Sequence, residues 1–217
     1  MTTGYSNSPQ LAKAALISMG GGNPVPRLIV LQYNPEQLTR TLTPVFEKTG
    51  DTPTGTDQLA GPPEETISLQ ARISAIDQLQ ANDPVAIGYG VHPQLATLEL
   101  MLFPSSAAIV ADVAKMALGL LEVVPPDAPV TIFVWGARRV LPVQMAAYNV
   151  VETLHDPSLN PVDAEVTMDL KVLTYQDFTP TQAGFYIYLA NLAQREVMSA
   201  LGGVASASSL LASILKS

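Results

Sequence analysis

Apolar and polar residues alternate almost without a break from Val162 to Val172. Val162, Ala164, Val166, Met168, Leu170 and Val172 share one face, and Asp163, Glu165, Thr167, Asp169 and Lys171 share the other. That is the pattern of an antiparallel strand with one side on a core and one side in water. The same period of two places Ile67, Leu69, Ala71 and Ile73 inward, with Ser68, Gln70, Arg72 and Ser74 outward. Before the first run, Val130–Trp135 and Arg138–Leu154 read as two more strands, with a tight turn at Gly136-Ala137 where glycine supplies the backbone freedom. The turn-forming segment His155–Pro161 separates them from the last strand, so the three make a meander.

Nearer the N-terminus, Arg27–Tyr33 is strand-like, and Gly20-Gly21-Gly22 before it makes Leu11–Met19 the other arm of a hairpin rather than a helix. Asn34-Pro35-Glu36 then turns the chain, and Thr39–Thr43 resumes as a strand. The polar loop from Glu47 to Pro63, with three prolines and three glycines, exceeds the usual connection and suits a contact arm. Asn82–Pro93 reads as a loop. Leu95, Leu98, Met101 and Leu102 follow at helical spacing, and Ile109, Val113, Met116, Ala117 and Leu120 extend the stripe up to Pro125-Pro126. This helical stretch is expected to cross the open side of the sheet. After Pro180, Phe185, Tyr188, Leu189, Leu192 and Val197 recur at helical intervals until Gly202-Gly203, which is expected to break the helix. So apolar a helix needs a partner surface.

Composition narrows the function. Charged residues make up 14% of the 217-residue chain, against about 25% in globular proteins. Such a surface is expected to be partly covered by other subunits. A formal net charge of -8 offers no basic footprint for a nucleic-acid backbone. With neither a long apolar run nor a leader-like start, the expectation is cytoplasmic assembly without direct membrane insertion. The absence of cysteine removes disulfides, thiolate metal sites and cysteine nucleophiles.

Catalytic, cofactor and metal candidates are weak. His92 and His155 both sit beside turn prolines, and the adjacent His155-Asp156 would point apart on a turn, unlike a triad or metal set. Gly20-Gly21-Gly22 lacks the lysine and hydroxyl of a phosphate loop, and Gly88-Tyr89-Gly90 opens no dinucleotide-type helix. Glu64-Glu65 and Asp163, Glu165 and Asp169 could suggest calcium or an acid pair, but the latter spacing is that of a solvated strand face. Trp135 fits core packing or an interface anchor better than ligand stacking. The chain is therefore expected to be no enzyme and to hold no cofactor or metal. The alternative is a small-ligand-binding or enzymatic β-barrel, whose apolar inward positions would suit only a fatty ligand.

The order of these features resembles the tube-type proteins of contractile injection systems, which include phage tails, extracellular injection particles and type VI secretion. Tyr33-Asn34-Pro35 after the first hairpin and Trp135-Gly136 at the last sheet match the family's two short motifs, and the likeness spans Leu11 to Tyr175. It is nearest to the baseplate and adaptor proteins that cap the inner tube, although many of these continue into a LysM-type module where this chain has the helical stretch from Phe185 to Ser217. The resemblance implies an α+β fold, mainly an antiparallel tail-tube-like β-barrel with an intervening helix and a C-terminal helical tail. The expected division is a flexible segment 1–9, a barrel domain 10–180 and a helical extension 181–217. The implied role is an adaptor at one tube end, forming a homo-hexameric ring and joining the tube protein to baseplate and spike, or to cap, terminator and sheath. Tyr33, Asn34, Pro35, Trp135, Phe185 and Tyr188 are the expected contact residues.

Overall fold

The computed structural model describes residues 12–20, 23–47, 58–119 and 130–214. Strands β1 (Ala15–Gly20) and β2 (Asn23–Val30) form the first hairpin, followed by β3 (Leu38–Thr43), the two-residue pair β4 (Phe46–Glu47) and β5 (Gln58–Leu59), and β6 (Glu64–Ser74). Helices α1 (Ile76–Gln80), α2 (Pro84–Tyr89), α3 (His92–Glu99) and α4 (Ser106–Ala117) come next. The meander β7 (Val130–Val134), β8 (Val140–His155) and β9 (Pro161–Val172) and the long helix α5 (Ala183–Ile214) complete the chain. The segment expected to be flexible, 1–9, and most of the Glu47–Pro63 arm lie outside the described residues.

Among the described residues seven strands form one antiparallel sheet in the order β2-β1-β7-β8-β9-β6-β3, with the meander at its centre. The alternation in β6 and β9 does what the pattern predicts. Ile67, Leu69, Ala71 and Ile73 lie opposite Leu170, Met168, Val166 and Ala164, and all eight are buried. Each large apolar side chain buried there contributes about 1.5–3 kcal/mol. On the opposite face, polar residues join the same two strands: Ser68 donates to Asp169 at 2.6 Å, Gln70 to Glu165 at 2.7 Å, and Arg72 to Asp163 at 3.0 Å.

The expected barrel is not closed: among the described residues β2 and β3 remain edges with no ladder between them. The chain joining them carries Pro35, which has no N–H to give, and Asn34, whose side chain accepts from Ala14 N and donates to Ala12 O. These bonds turn the chain across the gap instead of along it. The sheet is nevertheless curled. Gln32 Oε1 accepts from Ser74 N at 3.0 Å, although β2 and β6 stand five strand spacings apart in the sheet order, about 24 Å if it were flat. Only a rolled sheet brings them within a glutamine's reach.

The inside of the roll is packed solid. Leu16, Phe133, Leu141, Met168 and Leu170 from the sheet meet Val91, Leu95 and Leu98 from the helical segment, all essentially inaccessible to solvent. Part of that segment corrects the reading of Asn82–Pro93 as a loop. Asp83 caps α2 by accepting from Val85 N and Ala86 N, with Pro84 in the first turn, and α3 begins at His92. Between them Gly90 adopts φ 57° and ψ −130° and lies directly against the start of β9, where Val91 N donates to Pro161 O at 2.8 Å.

Two helical expectations also change. Helix α4 does not pack across the sheet: it buries no residue, and Val113 and Met116 are about 60% exposed. It is Leu95 and Leu98 of α3, not the α4 stripe, that pack into the core. Leu120, the end of that stripe, lies outside the described residues. Helix α5 runs through Gly202-Gly203 without a break. Two glycines cost roughly 1 kcal/mol each in a helix interior, which weakens a helix without stopping it.

One inward residue is a mismatch. Tyr148 of β8 packs against the core, and its buried hydroxyl has no hydrogen-bond partner among the described residues. Burial, followed by Glu99 and Glu152, pushes its pKa up to about 12. A raised phenol pKa leaves the neutral form favoured in the fold, so its contribution is intact below the ordinary value near 10 and is lost as pH rises toward 12. Tyr148→Phe is therefore expected to be neutral or to stabilise by about 1 kcal/mol at pH 7, and to remove that alkaline phase, as read from denaturation midpoints across pH. A clear loss of stability at neutral pH would instead mean that the hydroxyl is satisfied.

Candidate functional site

Helix α5 presents Tyr188, Asn191 and Arg195 on one stripe at i, i+3 and i+7, which sets these side chains against the sheet. The stripe ends in an ion-paired cluster. Glu65 shares the inward phase of β6 with Ile67 and Leu69 and is only 4% exposed. Its Oε1 accepts from Arg40 Nε of β3 at 2.8 Å, and its Oε2 accepts from Arg195 at 2.7 Å. One carboxylate thus ties β3, β6 and α5 together.

Beside this cluster, the turn between β7 and β8 brings in Trp135, Arg138 and Arg139. In that turn Gly136 has φ 66°, and Trp135 N donates to Arg139 O at 2.7 Å. Together with Asn191, Gln194 and Met198 these residues line an open cavity of about 410 Å³. Desolvation, then the neighbouring Arg40, lower the pKa of Arg139, with Arg195 adding to the effect and Glu65 opposing it. The site is an island of positive charge on an acidic protein.

A second cleft, about 510 Å³, lies between the Tyr33–Gln37 turn and the outer residues Gln70, Arg72 and Glu165. The six expected contact residues are therefore not brought together. Tyr33 and Pro35 line this cleft, with Tyr33 exposed, while Asn34 spends its amide on Ala12 and Ala14. Trp135 lines the arginine cavity and packs on Phe133, ring centroids 5.9 Å apart. Tyr188 is buried against Tyr175 within its own chain, and Phe185 is half-buried edge-on to the exposed Tyr186.

The other polar candidates stay apart. Glu64 is exposed, 3.8 Å from Lys171, while Glu65 points to the opposite face, as neighbours in a strand must. Asp163, Glu165 and Asp169 each bond to a different residue of β6, and no group of three potential metal ligands occurs among the described residues. His155 lies 3.8 Å from Glu152 on the exposed end of the β8–β9 hairpin. There the loop is organised by Asp156, whose carboxylate accepts from Asn160 and Ser158, bonds that hold its pKa low.

The arginine cavity escaped the sequence reading, although one signal pointed to it. A glutamate in the inward phase of an apolar strand must find cationic partners. Those partners come from β3 and from a helix 130 residues away, which no local pattern shows.

Two solved structures are similar to this chain at low identity. A chain of the anti-feeding prophage baseplate has 12% identity, with 76% of this chain and 93% of that chain covered, at a TM-score of 0.28. A chain of the native gene transfer agent virion has 10% identity, with 73% and 95% covered, at a TM-score of 0.25. At such TM-scores neither likeness fixes a topology or a role. No family model and no curated protein matches the chain. Among the described residues no helix is long and apolar enough to cross a membrane.

Proposed function

We propose that this chain is a structural subunit of a phage tail-like contractile injection particle, an adaptor at one end of the inner tube that joins it to the baseplate and spike or to the cap. Its work is geometric rather than enzymatic. The observation that carries the reading is α4, a complete amphipathic helix of 12 residues that buries none of them. Ile109, Val113 and Met116 repeat at helical spacing in open solvent. A helix this short is marginal alone, and an apolar face of this kind is stable only when something covers it. The part of α5 beyond Arg195 exposes Val197, Met198 and Leu201 in the same way. The resemblance carried by Tyr33-Asn34-Pro35 and Trp135-Gly136 supplies the kind of assembly, a hexameric ring stacked on a tube.

The alternative, a barrel with a ligand inside, is disfavoured because the interior where it would place the ligand is occupied by Leu16, Phe133, Leu95 and Met168. The deciding experiment is the native mass of the purified chain by light scattering with negative-stain microscopy, alone and with the tube protein of its own particle. Ring-shaped particles near six times the 23.0 kDa chain mass are expected. Val113→Glu is expected to disperse them without unfolding the chain, since Val113 already faces water within one subunit. A persistent monomer in both conditions would overturn the proposal.

A further inference from the structure

The cavity between β3, the β7–β8 turn and α5 holds more positive charge than the described residues neutralise. Four of the six arginines line it, in a protein of formal net charge -8. Both oxygens of Glu65 are already committed to Arg40 and Arg195. Among the described residues Arg138 reaches only the thioether of Met198, at 3.9 Å. Arg139 is half-buried, and its side chain has no hydrogen bond or ion pair among the described residues. A half-buried guanidinium without an anion loses part of its hydration for nothing in return, and guanidinium groups match carboxylates two bonds at a time.

We propose that this cavity is a binding site for an acidic segment of a partner protein, with carboxylates set beside an apolar side chain. Arg138 and Arg139 take the carboxylates. Trp135 and Met198 give a planar and an apolar wall that a small inorganic anion would leave unused. Asn191 and Gln194 add side-chain amides, uncommitted among the described residues, that can pair with a peptide backbone. The assignment rests on charge and shape at this cavity and stands whether or not the chain forms rings.

Trp135 is the only tryptophan of the chain, so its fluorescence reads this cavity directly. The full chain is titrated with a capped peptide of alternating glutamate and leucine, with its glutamine counterpart, and with inorganic phosphate at matched ionic strength. A saturable change with the acidic peptide alone is expected, weakening as salt is added. Arg139→Gln is expected to weaken binding about tenfold or more with an unchanged circular dichroism spectrum. Arg138→Gln, at an exposed position, gives an independent reading should the first variant lose its fold. An equal response to phosphate would make this a small-anion site and overturn the peptide assignment. Silence with every probe, or binding that both variants leave intact, would overturn the site itself.

Discussion

Alanine at Gly90 is expected to destabilise the protein by about 3 kcal/mol, more than its single added carbon suggests. At φ 57° and ψ −130° the backbone sits where side chains are strained, and the added Cβ would stand 2.1 Å from the carbonyl oxygen of Pro161. That oxygen belongs to the backbone at the start of β9 and already accepts from Val91 N, so it cannot swing aside as a side chain would. Relief requires α2 and α3 to lift off the sheet, pulling Val91, Leu95 and Leu98 from the core. Gly88→Ala is the control. Its Cβ would meet nothing within 4 Å, and inside α2 it should stabilise by up to about 1 kcal/mol through helix propensity. Urea denaturation of the two variants checks the account, which fails if they shift the midpoint alike.

The second large effect is expected at Glu65. Glu65→Gln keeps the shape but leaves Arg40, Arg139 and Arg195 together with no carboxylate of the described residues among them. Removing one partner of a buried ion pair costs about 3–5 kcal/mol, and partial exposure of Arg40 and Arg195 places this case near the lower figure. The loss should also have a place. Because Glu65 ties α5 to β3 and β6, hydrogen exchange should speed up first in the Ala183–Arg195 turns and only later in the sheet. An apolar set, Glu65→Leu with Arg40→Met and Arg195→Leu, should recover much of the loss. If Glu65→Gln matches the parent in stability and α5 protection, the cluster is not what fastens the helix.

What the sequence showed depended on whether a feature was local. The alternation in β6 and β9 was legible because one face of each strand is dry and the other wet, and Ser68, Gln70 and Arg72 do meet Asp169, Glu165 and Asp163 across it. The first hairpin and the meander were legible from their turn-forming residues, Gly136 standing between β7 and β8 and Pro161 opening β9. Closure of the barrel was not, since alternation describes a strand's faces and not whether two distant edges pair. Helices α1 and α2, five and six residues long, are too short to show a period. For α2, the pair Asp83-Pro84 was nevertheless an available start signal. The stripe on α4 announced an apolar face without saying what covers it. The arginine cavity is assembled by β3, a turn and α5, and only the inward glutamate hinted at it.

For the ring proposed above, the filled interior of the rolled sheet decides where a bore would lie. With Phe133, Leu141 and Met168 filling the space inside the roll, nothing the size of a cargo can thread a single copy. In any ring this chain builds, the bore must run between copies, and its diameter follows from the number of copies and the tilt at which they meet. Core substitutions would then alter how long the ring lasts, while substitutions on the surfaces facing the axis would alter what it lets through.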